Sequence, residues 1–360
     1  MKILQRYVLD ELKLPFLLSF LILNFIFMAG YLVRAANFII GRNIPLTDTL
    51  LVLLLAMPEM VSYTAPMSIL TAVLIAFGGL TQNNEVRAMK ASGVHPLMIM
   101  TPVLIVGLAL SFVMFVFNDQ IATKASFEVR RMTKKMLIKH PAALIEPGRF
   151  VKLNENIVFL AKDLEGNQMR DIVAYESEDP VKPIRTIIAE RGEIVSSKDN
   201  SELQIRLYDG SVSDTEDASV QSIQFKSYEF PTIGQEDIRK MKKKARDLTL
   251  AELLIRSGVE ALSPKDQKEL WAWFHQRIAF AFGCFIFTFI GIPAAILVRR
   301  GEIVLSFAIS MVATSIYYIM FVGAKTIATQ GLVPIYIVFW LPNIILFIAG
   351  WHLLKKAVAS

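Results

Sequence analysis

Six long apolar runs constrain this chain more than any other feature: Leu14 to Val33, Leu50 to Leu80, Leu97 to Phe117, Ile278 to Val298, Ile303 to Val322 and Pro334 to Leu354. At ~1.5 Å per residue, about 20 apolar residues cover the ~30 Å hydrocarbon core of a bilayer, and a helix satisfies its own backbone there. Three runs precede a polar middle and three follow it. With 54% hydrophobic residues, the 360-residue chain is too apolar for an ordinary soluble domain. The first run follows a short charged stretch (Lys2, Arg6, Asp10, Glu11, Lys13) and exceeds the apolar segment of a cleavable signal, which predicts a retained helix. The over-long second run carries Pro58, Glu59 and Pro66, which predicts a kinked or tilted helix whose outer end is partly shielded from lipid.

Orientation follows from basic residues in the short loops. Lys2, Arg6, Lys13, Arg87, Lys90, Arg299, Arg300, Lys355 and Lys356 fall on one side, and Arg34, Arg42 and Lys325 on the other. The positive-inside rule makes the first side cytoplasmic, places both termini there and puts the polar middle across the membrane. The same asymmetry accounts for much of the net charge of +6, which points to topology and anionic lipid rather than nucleic acid.

The insertion from about Asn118 to Lys268 changes character. Alternation in Phe150 to Leu153, Ile157 to Leu160, Ile172 to Tyr175, Leu203 to Tyr208 and Ile223 to Phe230 predicts short strands, with turns at Glu165-Gly-Asn167 and Asp209-Gly210. Such a series predicts a sandwich or open barrel. Helices are expected at its flanks, through Arg130, Arg131, Lys134 and Lys135, near Ile238 to Arg246, and over Leu250 to Arg256. Ser263-Pro264 with Asp266 reads as the cap that leads into the fourth span. The organisation is therefore residues 1–120 with three spans, 121–265 as the inserted all-β domain with flanking helices, and 266–360 with three more spans.

Catalytic constellations do not emerge. His95, His140, His275 and His352 lie far apart without a metal-binding spacing, and Cys284 is a lone thiol within an apolar run. Gly323-Ala-Lys-Thr326 lacks the glycine before lysine and the glycine-rich turn of a phosphate loop. The reading is a non-enzyme with no catalytic residue, no metal site and no cofactor of its own. Uphill transport would draw on a partner or an ion gradient.

Three places carry candidate function. The turn near residues 82–95 reads as a short helix ended by Gly93 and Pro96, with Glu85 and Met89 on one face. Docking into a soluble partner and an ordinary solvated loop both fit it. Arg34 closes the first span, where a guanidinium either grips a phosphate or snorkels to the interface. The run Arg130, Arg131, Lys134 and Lys135 either lines a lipid exit or is solvated. Glu59, without an acidic or histidine neighbour in sequence, suits the outer interface better than a proton relay.

Taken in order, Tyr31-Leu-Val-Arg34, Met57-Pro-Glu-Met60 with Pro66, Asn84 to Gly93, Gly148-Arg-Phe-Val151, Glu190-Arg-Gly-Glu193 with Leu207-Tyr-Asp-Gly210, and Trp273-Phe-His-Gln-Arg277 leading to Gly291-Ile-Pro-Ala-Ala295 give the chain a resemblance. It resembles the LptF/LptG-type lipopolysaccharide export permeases, also called the YjgP/YjgQ family, and looks closer to LptF. The resemblance implies an inner-membrane protein with a periplasmic β-jellyroll-like domain. It further implies a heterodimer with an LptG-like paralogue, an LptB-like ATPase dimer that binds ATP and Mg, and an LptC-like periplasmic β-domain that receives lipopolysaccharide. The segment near 82–95 would be the coupling helix, with Glu85, Arg87 and Met89 toward the ATPase. Arg34 would contact lipid, with Arg42, Arg131 and Lys134 as further lipid-binding candidates. A membrane-anchored scaffold for periplasmic partners and a proton-coupled secondary transporter using Glu59 are the rival expectations.

Overall fold

The computed structural model describes residues 2–42, 45–139, 147–152, 157–176, 185–196, 202–214, 221–230, 233–234, 241–258, 262–298, 303–330 and 334–359. Nine α-helices are described: α1 (Lys2–Arg42), α2 (Leu46–Gln82), α3 (Glu85–Ala91), α4 (Pro96–Phe117), α5 (Thr123–Lys139), α6 (Leu250–Ser257), α7 (Pro264–Val298), α8 (Ile303–Gln330) and α9 (Ile335–Ala359). Seven strands are described: β1 (Val151–Lys152), β2 (Ile157–Glu165), β3 (Gln168–Glu176), β4 (Arg185–Ser196), β5 (Glu202–Asp214), β6 (Gln221–Glu229) and β7 (Ile233–Gly234). The chain forms two compact units, one of Met1–Gly30, Ala56–Phe127 and Lys243–Ser360, the other of Tyr31–Leu55 and Glu128–Lys242.

Six helices are long and apolar enough to cross a membrane, in the positions expected. Within the first unit they share one core, with Phe77 of α2, Phe287 of α7, Tyr317 of α8 and Phe339 of α9 at its centre. The most apolar stretch of α2 is 83% buried and that of α7 is 67% buried, against 11% for α1 and 22% for α8. α2 and α7 are therefore the pillars of the bundle, while α1 and α8 present apolar faces that no described residue covers. Where α4 crosses α7, Gly107 stands so close that a Cβ there would lie 2.6 Å from Thr288 Oγ1. Buried polar groups are paired across helices: Tyr317 donates to Asn343 Oδ1 at 2.9 Å, and Asn343 Nδ2 donates to the Ala279 carbonyl at 2.8 Å.

Two helical expectations need correction. The third apolar run does not end its helix at Phe117. A π-helical turn, Asn118–Ala122, carries the chain on into α5, and the Thr123 hydroxyl donates to the Asn118 carbonyl at 2.8 Å. The helix expected near Ile238 to Arg246 is reduced, among the described residues, to one 3-10 turn at Ala245–Asp247, because Lys244 adopts extended backbone; residues 238–240 of that stretch lie outside the described residues. Leu250–Ser257 is a helix as expected, opened by a reciprocal capping box between Thr249 and Glu252. Ser263 caps α7, accepting from the Asp266 amide at 3.2 Å and donating to Asp266 Oδ2 at 2.8 Å.

In the second unit the strands form one antiparallel sheet in the order β1-β2-β3-β4-β5-β6, with β7 paired to β5. Phe159, Met169, Ile172, Ile187, Ile194, Ile205 and Leu207 fill its buried face. The expected turn at Glu165-Gly166-Asn167 joins β2 to β3, with Gly166 at φ +64°. The turn expected at Asp209-Gly210 does not exist, because those residues lie inside the 13-residue β5. Asp209 there has φ 52°, Asp171 on β3 has φ 50°, and the buried positions of β4 change phase between Ala189 and Gly192. A local kink thus crosses three neighbouring strands, which bends the sheet as bulges do. β4 itself was not anticipated as a strand.

Candidate functional site

The 82–95 segment folds as a compact knob. Asn84 takes left-handed backbone at φ 59°, α3 runs for 7 residues, and Gly93 at φ 83° ends it. His95 then caps α4 by accepting from the Leu97 amide at 3.3 Å, with Pro96 as first helical residue. Glu85 Oε2 accepts from the Tyr7 hydroxyl of α1 at 2.8 Å, and Glu85 Oε1 from Asn83 at 3.3 Å. Val86 is buried, and Met89 is half-buried against the helical core. Arg87 stays exposed and donates to Asn84 Oδ1 at 3.3 Å. Lys90 Nζ donates to the Ala357 carbonyl of α9 at 2.8 Å. The knob is therefore tied to the first and last helices, and its outward surface is built from Arg87 and Ala88 beside a half-buried Glu85.

The expected lipid-binding residues fall in the second unit. Arg34 and Arg42 belong to α1, with side chains outside the described residues. Arg131 is exposed on α5, 3.2 Å from Glu128 Oε1, and Lys134 is half-buried one turn later. Between them Met132, with Met136, packs against Val52 of α2, which fixes the rotation of α5. Two of the four candidates thus share a helix face at i, i+3 spacing.

A constellation that sequence reasoning missed sits at the π-helical turn. Asp119 Oδ1 accepts from Arg277 Nη1 of α7 at 2.8 Å and from the Leu250 amide at 2.7 Å, and Asp119 Oδ2 accepts from Gln120 at 2.7 Å. Arg277 also donates to the carbonyls of Leu248 at 2.7 Å and Arg246 at 3.2 Å. The two side chains are only 7% and 11% exposed, so the charges are held by each other and by backbone rather than by water. Nearby, Lys243 donates to Glu252 at 2.6 Å, and this ammonium, with help from the Thr249 amide, holds the Glu252 carboxyl below the usual carboxylate range. The available signal was a charge of each sign at the end of an apolar run, Asp119 after Phe117 and Arg277 before Ile278.

Two of the segments that carry the resemblance meet in space where the chain pairs its strands. Gly192 is opposite Leu207, Arg191 opposite Tyr208 and Ala189 opposite Gly210, so Glu190 to Glu193 and Leu207 to Gly210 are cross-strand neighbours. Arg191 and Asp209 form an ion pair on that kink. Gly148 has φ +73° and donates its amide to the Ala161 carbonyl at 2.8 Å. The Gly323 to Thr326 segment lies inside α8, not in a loop. The family described as lipopolysaccharide export system permease LptF/LptG matches residues 6–356. A comparison with curated proteins found no match.

Proposed function

The chain belongs to the LptF/LptG family of lipopolysaccharide export permeases, and from that membership we propose that it is one permease half of an ABC-type exporter. In this reading it pairs with a paralogous subunit, binds an LptB-like ATPase dimer on the cytoplasmic side and delivers lipopolysaccharide to an LptC-like periplasmic β-domain. The Leu32-Val-Arg34 and Met57-Pro-Glu-Met60 segments favour the LptF side of such a pair. The most apolar stretches of α1 and α8, only 11% and 22% buried among the described residues, support a lipid path that enters sideways along these two spans. A bilayer is as apolar as those faces, so acyl chains move between them at little cost, and the demand falls on lifting the charged headgroup.

The observation that carries the transmission step is the anchoring of α3. With Glu85 bound to Tyr7 and Lys90 to Ala357, a push on this knob reaches α1 and α9 without crossing a flexible joint. Arg34 would hold a lipid phosphate until that stroke, with Arg42, Arg131 and Lys134 along the exit. ATP and Mg belong to the partner in this scheme. The test is Glu85→Arg in the full complex: expected is loss of ATPase co-purification while the permease keeps its helical content. Stoichiometric ATPase binding by that variant would remove the docking role. Lipopolysaccharide release to an acceptor from nanodiscs separates transport from a scaffold role, and Glu59→Gln with transport intact across pH eliminates proton coupling.

A further inference from the structure

We propose that a cleft between α2, α7 and the π-helical turn is a phospholipid headgroup site, built for a primary ammonium two carbons from a phosphate. The cleft, about 140 Å³, is lined among others by Glu59, Tyr63, Asn118, Arg246, Trp273 and Gln276. All of these belong to the helical unit.

Its level in the membrane follows from the sequence. Asn118 directly follows the apolar run that ends at Phe117, and Gln276 stands two residues before the run that begins at Ile278. Glu59 lies on the same helix as Gln82, and at ~1.5 Å per residue the two are about 35 Å apart, close to the thickness of the hydrocarbon core. The cleft therefore opens at the boundary where headgroups reside.

Its chemistry is unbalanced toward acceptors. Asn118 is 8% exposed, and its Oδ1 has no donor among the described residues; Gln276 Oε1 is likewise shielded and without one. Glu59 is half-buried and forms no ion pair among the described residues. Each buried acceptor left unmet costs roughly 1–3 kcal/mol, so these two amide oxygens, beside the half-buried Glu59 carboxylate that lines the same cleft, call for a group rich in N–H donors. A bare metal ion fits poorly, because Glu59 is the only carboxylate lining the cleft and Arg246 and Arg277 line it too. Arg277 is committed to Asp119 and two carbonyls. Arg246 is not: among the described residues only its Nε is engaged, with Asp247 at 3.4 Å, and its side chain is 42% exposed. Two unmet amide oxygens and a carboxylate beside one available guanidinium complement an ammonium joined to a phosphate. An ethanolamine headgroup meets that pattern. A choline headgroup has no N–H to donate, and a glycerol headgroup has no cation.

The full-length permease, purified with its partner subunits and stripped of lipid, is titrated with short-chain phosphatidylethanolamine, phosphatidylcholine and phosphatidylglycerol, and bound lipid is counted by native mass spectrometry. Expected is an affinity about tenfold higher for the ethanolamine lipid, the size of one charge-assisted hydrogen bond. Gln276→Leu and Asn118→Leu should each erase that preference. Should Asn118→Leu fail to fold, the half-buried Gln276 carries the test alone. Equal affinity for the ethanolamine and choline lipids, or an unchanged preference in Gln276→Leu, overturns the proposal. Displacement by soluble phosphoethanolamine at the lipid's own concentration overturns the assignment to a lipid. Neither lipopolysaccharide nor ATP is present, so the outcome is independent of export.

Discussion

The Asp119 and Arg277 pair makes the sharpest energetic prediction. In Asp119→Leu the guanidinium of Arg277, 7% exposed, loses the only carboxylate paired with it among the described residues and keeps the Leu248 and Arg246 carbonyls. The Leu250 amide, bound to Asp119 at 2.7 Å, loses its acceptor as well. Breaking one partner of a buried pair costs ~3–5 kcal/mol, because the other charge stays desolvated and alone. Replacing both, as Asp119→Leu with Arg277→Met, removes both desolvation penalties and should cost less than either single change. Equilibrium unfolding of the full-length chain in mixed micelles, followed by tryptophan fluorescence, gives the three free energies, and the double-mutant cycle isolates the coupling. A single-variant loss below ~1 kcal/mol, or losses that simply add, would show that the pair is solvated and the reasoning wrong.

Gly210→Ala should destabilise the strand domain by about 1–3 kcal/mol in the same assay, since its Cβ would lie 2.2 Å from the Ile188 carbonyl oxygen, a backbone atom that cannot step aside. Asn343→Leu should cost roughly 1–2 kcal/mol by stranding the buried Tyr317 hydroxyl, and adding Tyr317→Phe should return most of it. Glu252, held below its ordinary value of 4.5 by Lys243, contributes stability that is complete above that value and is lost as pH falls through the lower folded-state pKa. Acid titration of unfolding midpoints should therefore show a steeper loss for the wild type than for Glu252→Gln, and parallel curves would refute the assignment.

The spans were legible because about twenty consecutive apolar residues have few other uses, and α2 was legible as over-long because its apolar run from Leu50 to Leu80 exceeds what one crossing needs; the helix continues through Pro58 and Pro66. β4 was not, since its buried residues change phase between Ala189 and Gly192 and no simple alternation survives. Asp209-Gly210 has the composition of a turn, and the structure uses the same positive-φ tolerance inside a strand. The knob at α3 could be placed from Gly93 and Pro96, yet the inward turn of Met89 depends on a core assembled from distant helices. Asp119 and Arg277 are separated by 158 positions, beyond any local pattern.

That pair also accounts for the π-helical turn. The strand-bearing insertion departs after Asn118–Ala122 and returns before Leu250, and both stems are fastened at one carboxylate, with Ser126 Oγ and Asp247 Oδ1 at 3.4 Å as a second tie. A π turn holds one residue more than the α turn it replaces and persists where that residue is put to use. Restoring regular α geometry between Phe117 and Thr123 would rotate Asp119 by about 100° relative to α5, away from Arg277 on one side or from the Leu250 amide on the other. The irregular turn is what lets a single side chain face a membrane-spanning helix and the returning stem together.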